Sequence, residues 1–459
     1  MMMMIGAGIA SPPPLKSQIR IPRRRLSKSE CQCALSKRGE RFLNSLLVAS
    51  PNEDRLNTLL RKFVASSPRS VALGTLSHLL SPASAAPSHP RLSSLPLPLY
   101  LAMSQAPWFS WNSKLAADII ALLHKQKQFD EAETLTAEAL SRLSTGGKRE
   151  LFFFYCHLIN SQSKHKSREP VLHCCAKLKL LLHSGPTPLH LKQSVYKSMI
   201  QAMCRIGLPS ESEKLMDEMR RAGIKLSRFE FRWIVYGYGI RGQFGEMRRM
   251  VAQMQRKGFW MDTVTSNMVL SSFGAHGELL EMAAWLQKMK EDWGVAVSIR
   301  TYNSVLNSCP KLNLLLYDSI KNNEDLPLSL EELVAKLSRE EGSLVLNLAT
   351  ERKVEWGVEL DLHGMHLGTA YVIMLLWFEE VRTRCESGDN DNLPSEIRVV
   401  CGVGKHSAIR GKSPVKGLVK KMLQQMGCPL RNDSKNNGCF VAKGRVLKDW
   451  MSLYNKSLL

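Results

Sequence analysis

Val358-Glu-Leu-Asp-Leu-His-Gly364 and Val399-Val-Cys-Gly-Val-Gly-Lys-His-Ser407 are the two stretches on which the reading of this chain turns. Apolar residues lead into each, so each predicts a strand running out into a loop. Between them Ala370, Ile373, Met374, Trp377 and Val381 fall at helical spacing. The unit is therefore strand, helix, strand, with a polar, glycine-bearing loop after each strand. In an α/β sheet both loops emerge at the carboxyl ends of the strands, where chemistry usually sits. The first loop carries Asp361, His363 and His366; the second carries Gly402, Gly404, Lys405, His406 and Ser407.

Asp361 and His363 are two residues apart, which on a strand puts them on one side. A histidine can move a proton while an aspartate orients it or holds a divalent ion, the chemistry of phosphodiester cleavage. The ordinary structural account is that Asp361 caps the following turn. His366 and His406 fit a helix start or a phosphate contact. Residues 358–396 hold two basic and eight acidic residues, whereas residues 397–459 hold thirteen and two. That asymmetry predicts a basic face around Gly402-Val-Gly404, where glycines let backbone N–H groups approach a phosphate. The next helix start would add to the attraction, as would Lys405, His406, Ser407 and Arg410. Val415, Leu418, Val419, Met422, Leu423 and Met426 form the apolar face of that helix, with Lys416, Lys420 and Lys421 opposite. Strands over 429–432 and 439–442 and a helix over 446–453, bearing Trp450, complete the unit.

The two motifs together resemble the Smr (small MutS-related) domain. Its pattern is Leu-Asp-x-His-Gly, a helix, then a strand ending in Thr-Gly-x-Gly or similar. Leu360-Asp361-Leu362-His363-Gly364 is intact; Cys401 stands where the family often has threonine. The likeness covers residues 357–459 and implies a small α/β sandwich. Some Smr domains nick DNA or cleave RNA with the Asp-x-His motif implicated, which implies those roles for Asp361 and His363.

Upstream the chain repeats. Gly207, Gly242 and Gly277 are spaced by 35 and 35, as are Met219, Met254 and Met289; Gly223, Gly258 and Gly294 follow at 35 and 36. Each unit reads as a helix, a glycine turn, a second helix ending in Met, then a short link. A two-helix unit cannot bury its apolar face alone, so copies must stack into a solenoid. Looser copies lie over Ala116–Leu140 and Glu150–His183, the latter without the turn glycine. After Asn303 the pattern breaks at Pro310. That makes three clear repeats, two poor ones and a partial last one.

The 35-residue period, with Thr301-Tyr-Asn-Ser-Val-Leu306 opening one unit, resembles the pentatricopeptide repeat (PPR); the tetratricopeptide repeat, typically a protein binder, is the rival. PPR arrays read single-stranded RNA at roughly one base per repeat. Carrying the family's selecting pair onto this sequence gives Lys197 with Ser227, Arg232 with Asp262, and Asn267 with Ser298. Only Asn267/Ser298 is a usual pairing, one associated with pyrimidines. Lys197 and Arg232 suit phosphate contact better than base reading. Tyr196, Phe231, Met219 and Met254 are packing residues.

Composition bounds the rest. A chain of 459 residues has room for two or three domains. Its formal charge of +22 points to a polyanionic partner. No apolar run reaches the roughly 18 residues of a spanning helix. The 11 cysteines include no CxxC pair or zinc-finger spacing, which fits reduced thiols inside a cell. The first 29 residues hold no Asp or Glu but carry Lys16, Arg20, Arg23, Arg24, Arg25 and Lys28. That is the composition of an organelle transit peptide.

The expected organisation is a transit peptide (1–36), a helical segment with a Ser/Pro-rich linker (37–110), an all-α PPR-like solenoid (111–310), a helical connector (311–356) and the Smr-like α/β unit (357–459). This order resembles the plant PPR-Smr proteins, which act mostly in chloroplast RNA metabolism; the mitochondrion is the alternative compartment. Three functions stay open. One is an organellar RNA-binding protein whose Smr unit cuts the backbone as a metal-assisted endoribonuclease, Mg²⁺ being the suited cofactor. The second is a non-catalytic RNA-binding factor acting with other organellar RNA-metabolism proteins. The third is a protein-binding scaffold.

Overall fold

The computed structural model describes residues 35–49, 52–81, 90–144, 146–351, 359–386, 396–404, 413–444, 446 and 449–450. The transit-like residues up to 34 lie outside these, as do Lys405, His406, Ser407 and Arg410.

Helices α1 (Lys37–Ala49), α2 (Glu53–Ser66), α3 (Arg69–Leu79), α4 (Pro90–Ser93) and α5 (Pro96–Ser104) build an N-terminal bundle. Phe42 stacks on Phe63 there at 3.9 Å between ring centroids. Part of the expected Ser/Pro-rich linker is thus helix. Pro96 sits at the first position of α5, where a missing N–H costs nothing, and Leu99, Tyr100 and Met103 are buried.

Six two-helix units follow among the described residues. They are α6 (Ser113–Lys125) with α7 (Phe129–Leu143), α8 (Lys148–Lys164) with α9 (Arg168–His183), and α10 (Leu189–Arg205) with α11 (Pro209–Arg221). Then come α12 (Arg228–Ile240) with α13 (Phe244–Arg256), α14 (Thr263–Ala275) with α15 (Leu279–Glu291), and α16 (Ile299–Leu306) with α17 (Pro310–Asn322). The first helix of each unit packs on the first helix of the next, from α6 to α16. The array is a helical-repeat solenoid whose apolar interior runs unbroken from unit to unit.

One turn recurs within these units. The residue that opens the second helix donates its N–H five residues back: Leu208 to Met203 at 2.9 Å, Gln243 to Tyr238 and Glu278 to Phe273 at 3.0 Å. The residue before it must be left-handed, and Gly207 does this at φ +78°. The two loose units make the same bond, Gln128 to Leu123 at 3.0 Å and Ser167 to Gln162 at 3.1 Å. They place Lys127 (φ +62°) and Lys166 (φ +57°) in the left-handed position. Pro310, where the sequence pattern breaks, opens α17 rather than ending the array. The last unit departs because α16 has 8 residues against 13 in α14.

Helices α18 (Leu330–Lys336) and α19 (Arg339–Glu351) pack against the end of the solenoid, α19 touching α15 and α16. The α17 start lacks a cap of its own. Buried Glu341 on α19 supplies one, accepting from Lys311 N–H at 3.0 Å and Leu312 N–H at 3.1 Å.

The C-terminal unit runs β1 (Glu359–Asp361), α20 (Leu367–Glu386), β2 (Glu396–Val400), α21 (Pro414–Gln425), β3 (Arg431–Asn432) and β4 (Cys439–Lys443). Strand order is β1-β2-β4-β3, with β1 parallel to β2 and the other pairs antiparallel. Leu360, Ile397, Val399, Phe440 and Ala442 are buried along one face of the sheet. The register puts Glu359, Glu396, Arg398 and Lys443 on the other, where Arg398 and Lys443 both bond Glu396 at 2.7 Å. The sheet is a thin α/β layer with one open, ion-paired face.

Lysine in the left-handed position costs about 1–2 kcal/mol. Lys166→Gly should therefore raise stability by about 0.5–1 kcal/mol after the entropy cost of glycine. Denaturant unfolding of the two chains checks this.

Candidate nucleic-acid interface

The pairs that the resemblance assigns to base selection fall in a row along the first helices. Ser227, Asp262 and Ser298 are the N-cap residues of α12, α14 and α16. Each caps because its short oxygen-bearing side chain reaches the orphan N–H groups of the first turn. Arg232, Asn267 and Asn303 stand five residues into those helices, so each meets the cap of the next helix.

The contacts follow that geometry. Asn267 Nδ2 donates to Ser298 Oγ at 3.4 Å, while its Oδ1 is buried without a hydrogen-bond partner. Arg232 pairs directly with Asp262 and donates Nε to Thr265 Oγ1 at 3.1 Å; Arg228 reaches the same carboxylate at 3.1 Å. Lys197 and Ser227 meet through Glu230, which is fully buried. Ser227 donates N–H and Oγ–H to Glu230 Oε2 at 2.6 and 2.8 Å, and Lys197 Nζ lies 3.9 Å from Oε1.

The caps are therefore structural residues first, and the cations carry their own counter-ions. Burial pushes the Asp262 carboxyl up, but the Thr265 N–H and hydroxyl and the charges of Arg232 and Arg228 outweigh it and hold it below the usual range. Glu230 was missed in the base-reading set, although Ser227-Arg-Phe-Glu230 carries the Ser-x-x-Glu capping signature.

The α/β unit brings its two motif loops together. β1 ends at Asp361, and Leu362 N–H still bonds Val400 O at 2.9 Å. His363 lies past the strand in the following turn, so strand alternation does not set the direction of its side chain. Its backbone N–H, rather than its ring, meets Asp361 Oδ1 at 2.8 Å. Both side chains are exposed. A Cβ added to Gly402 would lie 3.8 Å from His363 Cδ2, so the second loop flanks the first.

Gly402 and Gly404 hold φ of +73° and +72°. The N–H groups of Cys401 and Gly402 are donated to Gly438 O at 2.8 and 3.1 Å, so this part of the loop is closed to an anion. The start of α21 faces the same corner: Ser413 caps it and also donates to Cys401 O at 3.4 Å. Burial pushes the Cys401 thiol up to about 12, which leaves it protonated and unreactive at neutral pH. Among the described residues no group of three or more His, Cys, Asp or Glu side chains could hold a metal.

His366 is a helix start. Its carbonyl accepts from Ala370 N–H at 2.9 Å, its N–H donates to Asn303 Oδ1 at 2.9 Å, and its ring Nδ1 meets Asn307 Nδ2. Neither asparagine belongs to the sequence-derived set, because their partners lie about sixty residues away in the chain.

Stacked two-helix units of 35-residue period, with polar pairs in register along their first helices, define a helical-repeat solenoid. The PPR repeat model matches residues 194–224 and 264–293. A pentatricopeptide repeat-containing protein of Arabidopsis thaliana is 45% identical over 428 residues, which is 91% of this chain and 82% of that protein. The chain belongs to the pentatricopeptide repeat family. The pentatricopeptide repeat-containing protein ATP4, chloroplastic, of Zea mays is 21% identical over 272 residues, 56% of this chain and 38% of its own length. Crystal structures of maize PPR10, free and with an 18-nt psaJ RNA element, align with TM-scores of 0.34 and 0.28 at 12% and 13% identity. They cover 93% and 91% of this chain and 66% and 64% of theirs. Among the described residues no helix is long and apolar enough to cross a membrane.

Asp262→Asn keeps a good cap and removes the charge pairing. Because the folded pKa is depressed, this pairing stabilises above about pH 3.9 and is lost as pH falls through the lower folded value. The variant should be about 0.5–1 kcal/mol less stable at pH 7, and the two thermal midpoints should converge below about pH 4.

Proposed function

We propose that this protein binds single-stranded RNA along the Lys197–Arg232–Asn267 row, with a C-terminal Smr domain engaging the phosphodiester backbone. The row itself supports this reading. Polar side chains recur once per unit on adjacent first helices, and PPR units take roughly one base each. The net charge of +22 supplies the attraction for a polyanion. Membership of the family argues the same way. Asn267 is the base reader of this row: its amide both donates and accepts, and Oδ1 is unpartnered. Lys197 serves the backbone.

The Smr reading rests on Leu360-Asp361-Leu362-His363-Gly364 closing β1 and Cys401-Gly-Val-Gly404 closing β2, with α20 between. The two loops share one corner with the start of α21, which favours a negative charge there. A divalent ion at that corner would take Asp361 as a ligand and would rely on substrate oxygens, a habit of Mg²⁺. Cutting is the second reading, favoured by the exposure of Asp361 and His363. The Asp361 bond to a backbone N–H favours instead a clamp that binds without cutting. The compartment is a plant organelle, the chloroplast in our reading, supported by the acid-free first 29 residues and by the maize relative's name. Imaging a fluorescent fusion of residues 1–60 separates chloroplast from mitochondrion.

Binding of the full chain to labelled single-stranded RNAs of varied sequence tests the proposal. Lys197→Ala should weaken binding to all sequences and lower the salt slope by about one. Asn267→Ala should relax the preference at one base by about 1–3 kcal/mol. Binding that ignores salt would sink the RNA reading. Magnesium-dependent fragments that vanish in Asp361→Ala/His363→Ala would establish cutting; intact RNA with unchanged binding would leave a clamp.

A further inference from the structure

The row of selecting positions does not stop at Asn267. Asn303 holds the equivalent place on α16, and in a longer array its neighbour would be the cap of the next repeat. Here the neighbour is the Gly364–His366 turn. Asn303 Nδ2 donates to Gly364 O at 3.1 Å and Oδ1 accepts from His366 N–H at 2.9 Å. Both ends of the amide are thus spent on the loop that carries Asp361 and His363. Asn307, one helical turn further on, meets the His366 ring.

The helix that this turn opens takes the place of the next first helix. α20 packs on α16 and α17, and it does so closely: a Cβ on Gly368 would lie 3.3 Å from Leu306 Cβ and 3.3 Å from Leu312 Cδ2. At the far side of the same interface Lys421 Nζ bonds Ser319 O at 2.8 Å and also Glu324 O, capping the end of α17. Gln425 Nε2 bonds Asp325 Oδ1 at 2.9 Å. Of these polar attachments, those of Asn303 and Asn307 touch the motif loop and those of Lys421 and Gln425 do not.

We propose that Asn303 is a positioning residue that sets the Asp361–His363 loop as the next station on the RNA track, in register with Lys197, Arg232 and Asn267. It reads no base itself. It fixes the loop so that the backbone engaged there lies about one nucleotide beyond the base held at Asn267 and Ser298. The proposal rests on the RNA reading above.

Ultraviolet crosslinking of the full chain to RNA tests it, the probe being single-stranded RNAs selected by the chain from a random pool. Wild type should crosslink the 359–366 loop to one nucleotide at constant offset from the one crosslinked by α14. Asn303→Ala should keep the α14 crosslink but scatter the loop crosslink over about three nucleotides or more. Lys421→Ala loosens the far side of the interface only and should leave the offset unchanged, which separates positioning from general loosening. An unchanged offset in Asn303→Ala, or equal scatter in Lys421→Ala, overturns the positioning role and leaves RNA binding standing. Failure of wild type to select any RNA overturns both.

Discussion

The burial of α20 is the constraint on which the rest of the molecule depends. Tyr371, Val372, Met374, Leu375, Trp377 and Phe378 are all buried, so the helix has no wet face across its centre. A small α/β unit standing alone would cover one side of such a helix with its sheet and leave the other in water. Here the other side is taken by α16 to α19. Each large apolar side chain so covered contributes about 1.5–3 kcal/mol. Polar bonds then fix the angle: the Tyr371 hydroxyl donates to Pro327 O at 2.7 Å, and Tyr302 to Leu348 O at 2.8 Å. Solenoid and sheet therefore share one core.

The same economy runs along the first helices. Ser227, Asp262 and Ser298 must cap their helices, because the orphan N–H groups of the first turn are otherwise unsatisfied. That duty holds Asp262 and Ser298 next to Arg232 and Asn267, each five places into the preceding first helix, while Ser227 meets Lys197 through Glu230. A row of polar pairs on one face is thus a by-product of helix termination, and repeat stacking delivers it at a fixed spacing. What varies is the occupant: a cation with its own acid at Arg232, a half-satisfied amide at Asn267, a committed amide at Asn303.

Much of this was legible in the sequence, for identifiable reasons. The 35-residue glycine spacing was visible because the turn needs φ above zero, which glycine adopts without strain. Lys127 and Lys166 hid the same turn, since nothing in the sequence marks a lysine held left-handed. The helix starting at Pro96 read as linker because prolines are helix breakers everywhere except the first turn. Apolar spacing within 367–386 announced a helix but not its second burying surface, which comes from another part of the chain. The motif corner was placed correctly at the strand ends, yet the hydrogen bonds there were not. That Gly438 O takes the Gly402 N–H, or that Asn303 grips the first loop, are contacts between distant segments that no local pattern encodes.

The α/β unit is thus a packed continuation of the solenoid rather than a tethered domain. Hydrogen exchange of the full chain under native conditions, resolved by helix, tests this most directly. Amides of α20 should open with the same free energy as those of α14 and α16, because breaking either side exposes the shared core. Rapid exchange of α20 and the sheet while α14 and α16 stay protected would contradict it.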